Sequence, residues 1–536
     1  MTDRLRIDLA PHHRGFLGLT IPEALDLAAE CWGAEPAIRM IEGEPGEHTW
    51  SELRELIARV RSGLEAAGVV PGDKVGIMLG NQLEFPLTWL AVIEAGAVAV
   101  PLNTKYTARE VDFVLGDAGA RWLIAGCETI RRLERDGAVG PVPVHRTVAV
   151  GDAVGHAGPL FADLLAARPT ARTHQAGPLD VVNIQFTSGT TGLPKGCLLT
   201  HEYWIEFGVY SSALFDDPKR LLADHPFYYM QNQAYFMIAM AGGGALCVTA
   251  GLSRRKFMGW LVEHRIDFAW LDDFLLDEPE RATDSRLAIR KAPLSEVSGS
   301  AHAALEARFG LRARDWYAST EAGNGTFVPW ERTDLVGRST IGLLWPTREA
   351  KIIGPDGREV APGAAGELCL RGSGMMLGYH NRPEANAELL LPGGWYRTGD
   401  LVRRDAEGLF FFEGRIKDMV KRSGENISCA EVELRLLELP EVAEAGVIPV
   451  PDPDRGEEVK AVLVLKEGTT LTAAAVEEWC RRELAAFKVP RYVEFREELP
   501  HTSSGKVAKS QLRGESEPFG PGVIDLRSPV RDGADR

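Results

Sequence analysis

The chain reads as an α/β protein with a large, layered N-terminal domain that carries a small β-rich subdomain, followed by a small α+β C-terminal domain. From about Ile21 to Gly310, helical segments such as SELRELIARVRSGLEAAG alternate with short apolar runs such as KVGIML, AVAVPL and RWLIAG. That alternation is the mark of largely parallel sheets covered by helices. Near Gly337 the character changes: KIIGPDGREVAPGAAGELCLRG and GLFFFEG read as short strands between Pro-Asp-Gly and Gly turns, ending near Gly414. From about Asp418 the helix AEVELRLLEL, the strands AEAGVIPVPD and VKAVLVLKEG, and the helix AAAVEEWCRRELAAF outline a unit of about 100 residues, within the usual domain range. The resulting division is a large domain over 1–414, with its β-rich part at about 337–414, a small domain over 415–512, and a Gly-, Pro- and charge-rich tail over 513–536 read as disordered.

Length and composition bound the function. At 536 residues the chain exceeds one ordinary core, and 45% apolar with 25% charged residues is a globular balance. Acidic residues outnumber basic ones 76 to 60, for a formal charge of −16. No lysine or arginine block offers a footprint for nucleic acid, so a polyanion is excluded as partner. The N-terminal segment MTDRLRIDLAPHHRGF lacks the basic-then-apolar pattern of a secretion signal, and no apolar stretch is long enough to span a membrane, so the cytoplasm is the expected location. The 7 cysteines are scattered singly, without zinc-site spacing, and read as reduced and packed.

The most informative stretch follows the strand-like VVNIQF: Thr187, Ser188, Gly189, Thr190, Thr191, Gly192, Leu193, Pro194, Lys195, Gly196. Three glycines let backbone amides turn toward an anion, four hydroxyls add donors, and Lys195 adds a mobile positive charge. It differs from the GxxxxGK[ST] loop that leads into a helix, because Pro194 precedes the lysine and the glycine spacing is different.

This loop closely resembles the signature of the adenylate-forming superfamily of acyl-CoA synthetases, peptide-synthetase adenylation domains and luciferases. The likeness covers nearly the whole chain in order: Tyr317-Ala318-Ser319-Thr320-Glu321, GELCLRGSGMMLGYHNRPEAN, Trp395-Tyr396-Arg397-Thr398-Gly399-Asp400, Gly414-Arg415-Ile416-Lys417-Asp418 and Ser504-Gly505-Lys506. KRSGENISCAEVE and FKVPRYVEFREELPHTSSGK are most similar to the acyl-CoA ligase branch, including ligases of carnitine-like acids.

The resemblance implies a reaction in two halves: a carboxylate and ATP give acyl-AMP and pyrophosphate, then a thiol, expected to be CoA, displaces AMP. It implies that Thr187 to Lys195 hold the outer phosphates, that Tyr317 lies against adenine with Thr320 nearby, and that Asp400 accepts from the ribose hydroxyls. Arg415 is expected near the ribose and phosphate. Glu321 and Thr190 are expected to hold Mg²⁺, and Lys506 to bridge the acid and the α-phosphate. Lys417 falls at the hinge about which the family's small, mobile domain turns, and Gly424 beside the thiol channel. Taken alone, Tyr317 fits a core aromatic, Asp400 a helix cap and Lys506 a solvated lysine.

The acid pocket, expected to include Tyr229, Ser298, Gly299 and Ala318, departs from the family pattern. Tyr229 stands where many relatives have histidine, and Ala318 where a glycine is usual, narrowing the site toward a small or flat acid. Asp272 and Asp273 interrupt the apolar run FAWLDDFLL. They read either as solvated loop residues or as pocket carboxylates that select a cationic substrate. Two other chemistries of the superfamily stay open, activation of an anion such as nitrite for transfer to an aryl amine and amide ligation to an amine. A non-catalytic nucleotide binder is the reading from another class, and the retained Lys506, Glu321 and phosphate loop argue against it.

Overall fold

The computed structural model describes residues 4–527 apart from 44–45, 137–141, 153, 188–193, 283, 295–296, 298, 423–424, 453–454, 485, 502–505, 516–519 and 521. Four sheets organise these residues. The first runs Thr147–Val150, Trp122–Gly126, Lys74–Met78, Val98–Pro101, Val181–Thr187, Lys195–Thr200. Its neighbours are parallel except the last two strands, which pair antiparallel with Thr187 opposite Lys195. The strand before the Ser/Thr/Gly stretch therefore pairs with the strand after it. A second sheet orders Gly46–Thr49, Pro36–Met40, Ala245–Val248 and Arg220–Ala223.

The third sheet gives the β-rich region a different boundary from the one expected near Gly337. Its hydrogen-bonded path runs Lys291–Leu294, Arg312–Ser319, Gly323–Phe327, Thr340–Leu344, Phe410–Arg415, Trp395–Arg404, Gly366–Gly372, Arg348–Ile353. The strand Gly323–Phe327 pairs antiparallel on both sides and so welds the α/β part to the β-rich part. The composition change at Gly337 marks a shift from helix-covered to mostly antiparallel sheet, not a break in pairing. One large core accordingly spans both, including Trp50, Trp89, Trp204, Trp316 and Phe410.

Residues Ile416–Asp418, a single turn, join this sheet to the small domain, whose strands Glu425–Ser428, Met419–Arg422, Gly456–Leu465, Tyr492–Arg496 and Val523–Asp525 follow one another, with Val442–Asp452 also paired to Gly456–Leu465. A separate core around Val432, Val459 and Val476 fills it.

The tail expected to be disordered from 513 is corrected in part. Arg513 lies in the helix Lys509–Glu515, and Val523–Asp525 forms an edge strand on Tyr492–Arg496. Arg491 fixes that strand with a bidentate pair, its Nε and Nη2 donating to Asp525 Oδ1 and Oδ2 at 3.1 and 3.0 Å. Composition hid the local Val-Ile-Asp alternation and its arginine partner.

Six of the seven cysteines are buried and all seven are free. Among the described residues no helix is long and apolar enough to cross a membrane.

His12, His13 and Asp217 cluster as a metal site would, with Nε2 to carboxylate distances of 3.1 and 2.6 Å. However, the Ala10 amide donates to His13 Nδ1 at 3.2 Å, so the proton of neutral His13 sits on Nε2, facing the carboxylate. The cluster is a tether that fastens the helix Pro11–Phe16 to the residues after His201–Leu214.

Candidate active site

The strand Arg312–Ser319 carries two polar groups in close succession, Tyr317 within it and Glu321 two residues past its end. The Tyr317 hydroxyl donates to Asp400 Oδ2 at 2.6 Å, and Arg415 Nε donates to Asp400 Oδ1 at 3.1 Å. Register explains the second contact, because Asp400 and Arg415 face each other on paired strands. The turn before Asp400 is set by Thr398, whose hydroxyl donates to the Leu368 carbonyl at 2.8 Å and accepts from the Asp400 amide at 3.1 Å. Asp400 is buried, and burial raises its carboxyl above the usual range against the opposing pull of Arg415. Burial likewise pushes the Tyr317 phenol far up, reinforced by the Asp400 charge, so it stays a donor. Each Asp400 oxygen still has a lone pair to offer.

The sequence reading missed the role of Gly325. A methyl built there would lie 2.6 Å from Tyr317 Cδ1, so glycine is what lets the tyrosine ring lie flat across the neighbouring strand.

Lys195, Tyr379 and Glu321 form the second group. Tyr379 donates its hydroxyl to Glu321 Oε1 at 2.8 Å, and Lys195 Nζ sits 5.3 Å from the centroid of the Tyr379 ring. Thr187 donates to the Lys195 carbonyl at 3.5 Å. The backbone of Glu321 accepts from the Met376 amide at 3.0 Å, and Thr320 donates to Met230 Sδ at 3.4 Å. Tyr379 lies within the quoted segment GELCLRGSGMMLGYHNRPEAN, yet nothing in its spacing signals these contacts, which depend on pairing across the fold.

The expected acid-side residues sit on separate elements. Tyr229 precedes the helix Met230–Gly242, takes a hydrogen bond from Asn103 Nδ2 at 3.2 Å and meets Tyr228 edge-on at 4.8 Å. Ala318 is exposed. Gly299 opens the helix Gly299–Phe309 against Gly337, whose carbonyl would be 2.4 Å from an added methyl, a packing requirement independent of any substrate.

Asp272 and Asp273 do not share the burial of their run. Phe268, Ala269, Leu271 and Leu275 are buried, while both carboxylates are exposed. The strand-like segment ends at Leu271, and Asp272 caps the turn Asp273–Leu276 by accepting from the Phe274 amide at 3.4 Å. Partial desolvation, then the neighbouring Asp272, pushes the Asp273 carboxyl up to about 6.

Lys506 is exposed on the small domain, just inside the bridge between His501 and Val507. Lys417 is the middle residue of the turn joining the domains. Ser188, Gly189, Thr190, Thr191, Gly192, Ser298 and Gly424 lie outside the described residues.

Comparisons with known proteins agree with this arrangement. The family model for AMP-binding enzymes matches residues 25–380, and that for the AMP-binding enzyme C-terminal domain matches 431–506. A feruloyl-CoA synthase of Amycolatopsis is 33% identical over 479 residues, covering 87% of this chain and 93% of the relative. A crotonobetaine/carnitine–CoA ligase of Citrobacter koseri is 31% identical over 519 residues, covering 92% and 99%. The crystal structure of ATP-bound MatB from Rhodopseudomonas palustris superimposes with a TM-score of 0.80 at 26% identity, covering 92% of this chain and 99% of that one.

Proposed function

The chain belongs to the AMP-binding enzyme family, and from that premise we propose that it joins a small carboxylic acid to coenzyme A through an acyl adenylate. In the first half-reaction an oxygen of the acid attacks the α-phosphorus of ATP, and pyrophosphate leaves with the electron pair of the broken P–O bond. In the second, a thiolate sulfur attacks the acyl carbonyl, and AMP leaves.

The observation that carries this reading is the pair of carboxylates tied to the strand Arg312–Ser319 and the residues just after it: Asp400, held by Tyr317 and Arg415, and Glu321, held by Tyr379, whose ring also meets Lys195. Asp400 suits the two hydroxyls of a ribose, with Tyr317 against adenine and Arg415 toward ribose and phosphate. Lys195 and residues 187–192 suit the outer phosphates. Lys506 bridges the acid and the α-phosphate, offsetting the repulsion between two anions and the charge that builds up between them. Glu321 fits Mg²⁺: one oxygen accepts from Tyr379, which leaves the other for a hard cation, and a divalent ion there would neutralise phosphate charge. For the second half-reaction the small domain turns about Lys417, and Gly424, lacking a side chain, leaves room for a pantetheine arm.

CoA as acceptor comes from the names of both curated relatives. A neutral, flat acid fits better than a cationic one, because Asp272 and Asp273 are exposed and Tyr229 lies against the uncharged Tyr228 and Asn103. The test is pyrophosphate release with cinnamate-like, benzoate-like, carnitine-like and amino acids, with and without CoA, plus nitrite with an aryl amine. Acid-dependent release accompanied by thioester supports the proposal. Release without thioester removes CoA as acceptor, and release with none of the acids removes the ligase reading.

A further inference from the structure

We infer that Tyr379 is a positioning residue that aims Glu321 at the metal and provides the seat on which the Lys195 ammonium rests. This rests on the reading of Glu321 as metal ligand and Lys195 as phosphate ligand, and adds the group that links them.

Tyr379 is held from three directions. Its amide donates to Asn386 Oδ1 at 2.7 Å and its carbonyl accepts from Asn386 Nδ2 at 2.8 Å, a closed pair that fixes the backbone. The segment around it is added to the strand Lys195–Thr200: the Leu377 amide donates to Leu198, the Leu198 amide to Gly378 and the His380 amide to Gly196, at 3.0, 2.9 and 2.8 Å. Tyr379 itself forms a bridge with Cys197, two residues from Lys195. The ring therefore moves with the strand that carries Lys195, while its hydroxyl reaches across to Glu321.

Packing alone does not account for this side chain. A phenylalanine would fill the same buried volume, but only a phenol supplies the donor that Glu321 takes from Tyr379. Orienting a ligand carboxylate through one oxygen leaves the other free, the usual arrangement of a group that supports a metal ligand. Among the described residues Lys195 has no carboxylate partner, and the face of Tyr379 satisfies its charge by a cation–π contact that a phosphate can outcompete.

The test measures ATP–pyrophosphate exchange as a function of Mg²⁺ and of ATP for Tyr379→Phe, Tyr379→Leu and Glu321→Gln. Tyr379→Phe removes only the hydroxyl and should raise the Mg²⁺ concentration for half-maximal rate by about tenfold, with KM for ATP at saturating Mg²⁺ within about twofold of the parent. Tyr379→Leu should add a rise in KM for ATP, because the seat for Lys195 is lost as well. Should the leucine variant not fold, Asn386→Ala loosens the same tyrosine and should shift the Mg²⁺ requirement in the same direction. If Glu321→Gln shifts the Mg²⁺ requirement and Tyr379→Phe does not, the inference is overturned while the reading of Glu321 stands. If neither shifts it, both fall. A uniform loss of rate with unchanged Mg²⁺ and ATP dependence would show a merely structural tyrosine and also overturn the inference.

Discussion

Replacing Asp315 with asparagine should stabilise the protein at alkaline pH and do little in acid. Asp315 lies two residues before Tyr317 on the strand Arg312–Ser319. Its side chain is 18% exposed, and its nearest basic group is His302, with Nδ1 3.8 Å from Asp315 Oδ2. That histidine cannot serve as a cation here. Its Nε2 donates to the Ala313 carbonyl at 2.9 Å, its Nδ1 accepts from the Gly337 amide at 3.4 Å, and burial lowers its pKa. Desolvation therefore dominates, and the Asp315 carboxyl is pushed up to about 7.

Because this lies above the ordinary 3.8, the folded protein holds the proton longer than the unfolded chain. The contribution of neutral Asp315 is intact below about pH 4 and is lost as pH rises through about 7. Moving from 3.8 to about 7, at roughly 1.4 kcal/mol per tenfold change in acidity, amounts to about 4 kcal/mol as an upper bound. Relaxation and partial hydration leave on the order of 2 kcal/mol. Asparagine keeps the shape and never ionises. Thermal unfolding of parent and variant at pH 4 and pH 8 should give nearly equal Tm in acid and a Tm about 2 °C higher for the variant in base. A gap that does not change with pH, or a more stable parent at pH 8, would refute the reasoning.

Lys506→Ala should abolish acid-dependent pyrophosphate release while leaving Tm and ATP binding near the parent values; the lysine is exposed, and its proposed work is done only as charge develops. Gly325→Ala should raise KM for ATP at least several-fold, because a methyl 2.6 Å from Tyr317 Cδ1 must displace the ring; an unchanged KM would mean that the ring takes no part in nucleotide binding. Asp272→Asn and Asp273→Asn should leave the ratio of kcat/KM for amino-substituted and plain acids within about twofold, as both carboxylates face solvent; a larger shift toward neutral acids would return them to the pocket.

The layered α/β core and the compact second domain were legible in sequence because helix and strand periodicity is local. The pairings were not. Gly323–Phe327 carries no sign that it pairs on both sides, so a composition change at Gly337 looked like a boundary. The short strand Val523–Asp525 was lost among glycines, prolines and charges, since its stability comes from Arg491, more than thirty residues earlier. At the site, Tyr317, Asp400, Arg415, Glu321 and Lys195 could be named through the resemblance, whereas Tyr379 and Gly325 needed coordinates: one acts through a contact 58 residues away, the other by what it omits. For Asp272 and Asp273 the sequence left a solvated loop and a pocket wall both open, and their exposure favours the first, because an apolar run predicts burial only until the chain turns.

Through residue 527, the chain passes between the two domains once, at Ile416–Asp418, and its final strand folds back on the small domain itself. The small domain is thus a pendant on a single pin. Among the described residues no second crossing of the chain ties the two domains, so in the proposed rotation whatever arrests the small domain must be a surface it meets, a bound molecule or the stiffness of that one turn. The energetics of its orientation are then those of docking between two bodies at a high effective concentration set by one short linker.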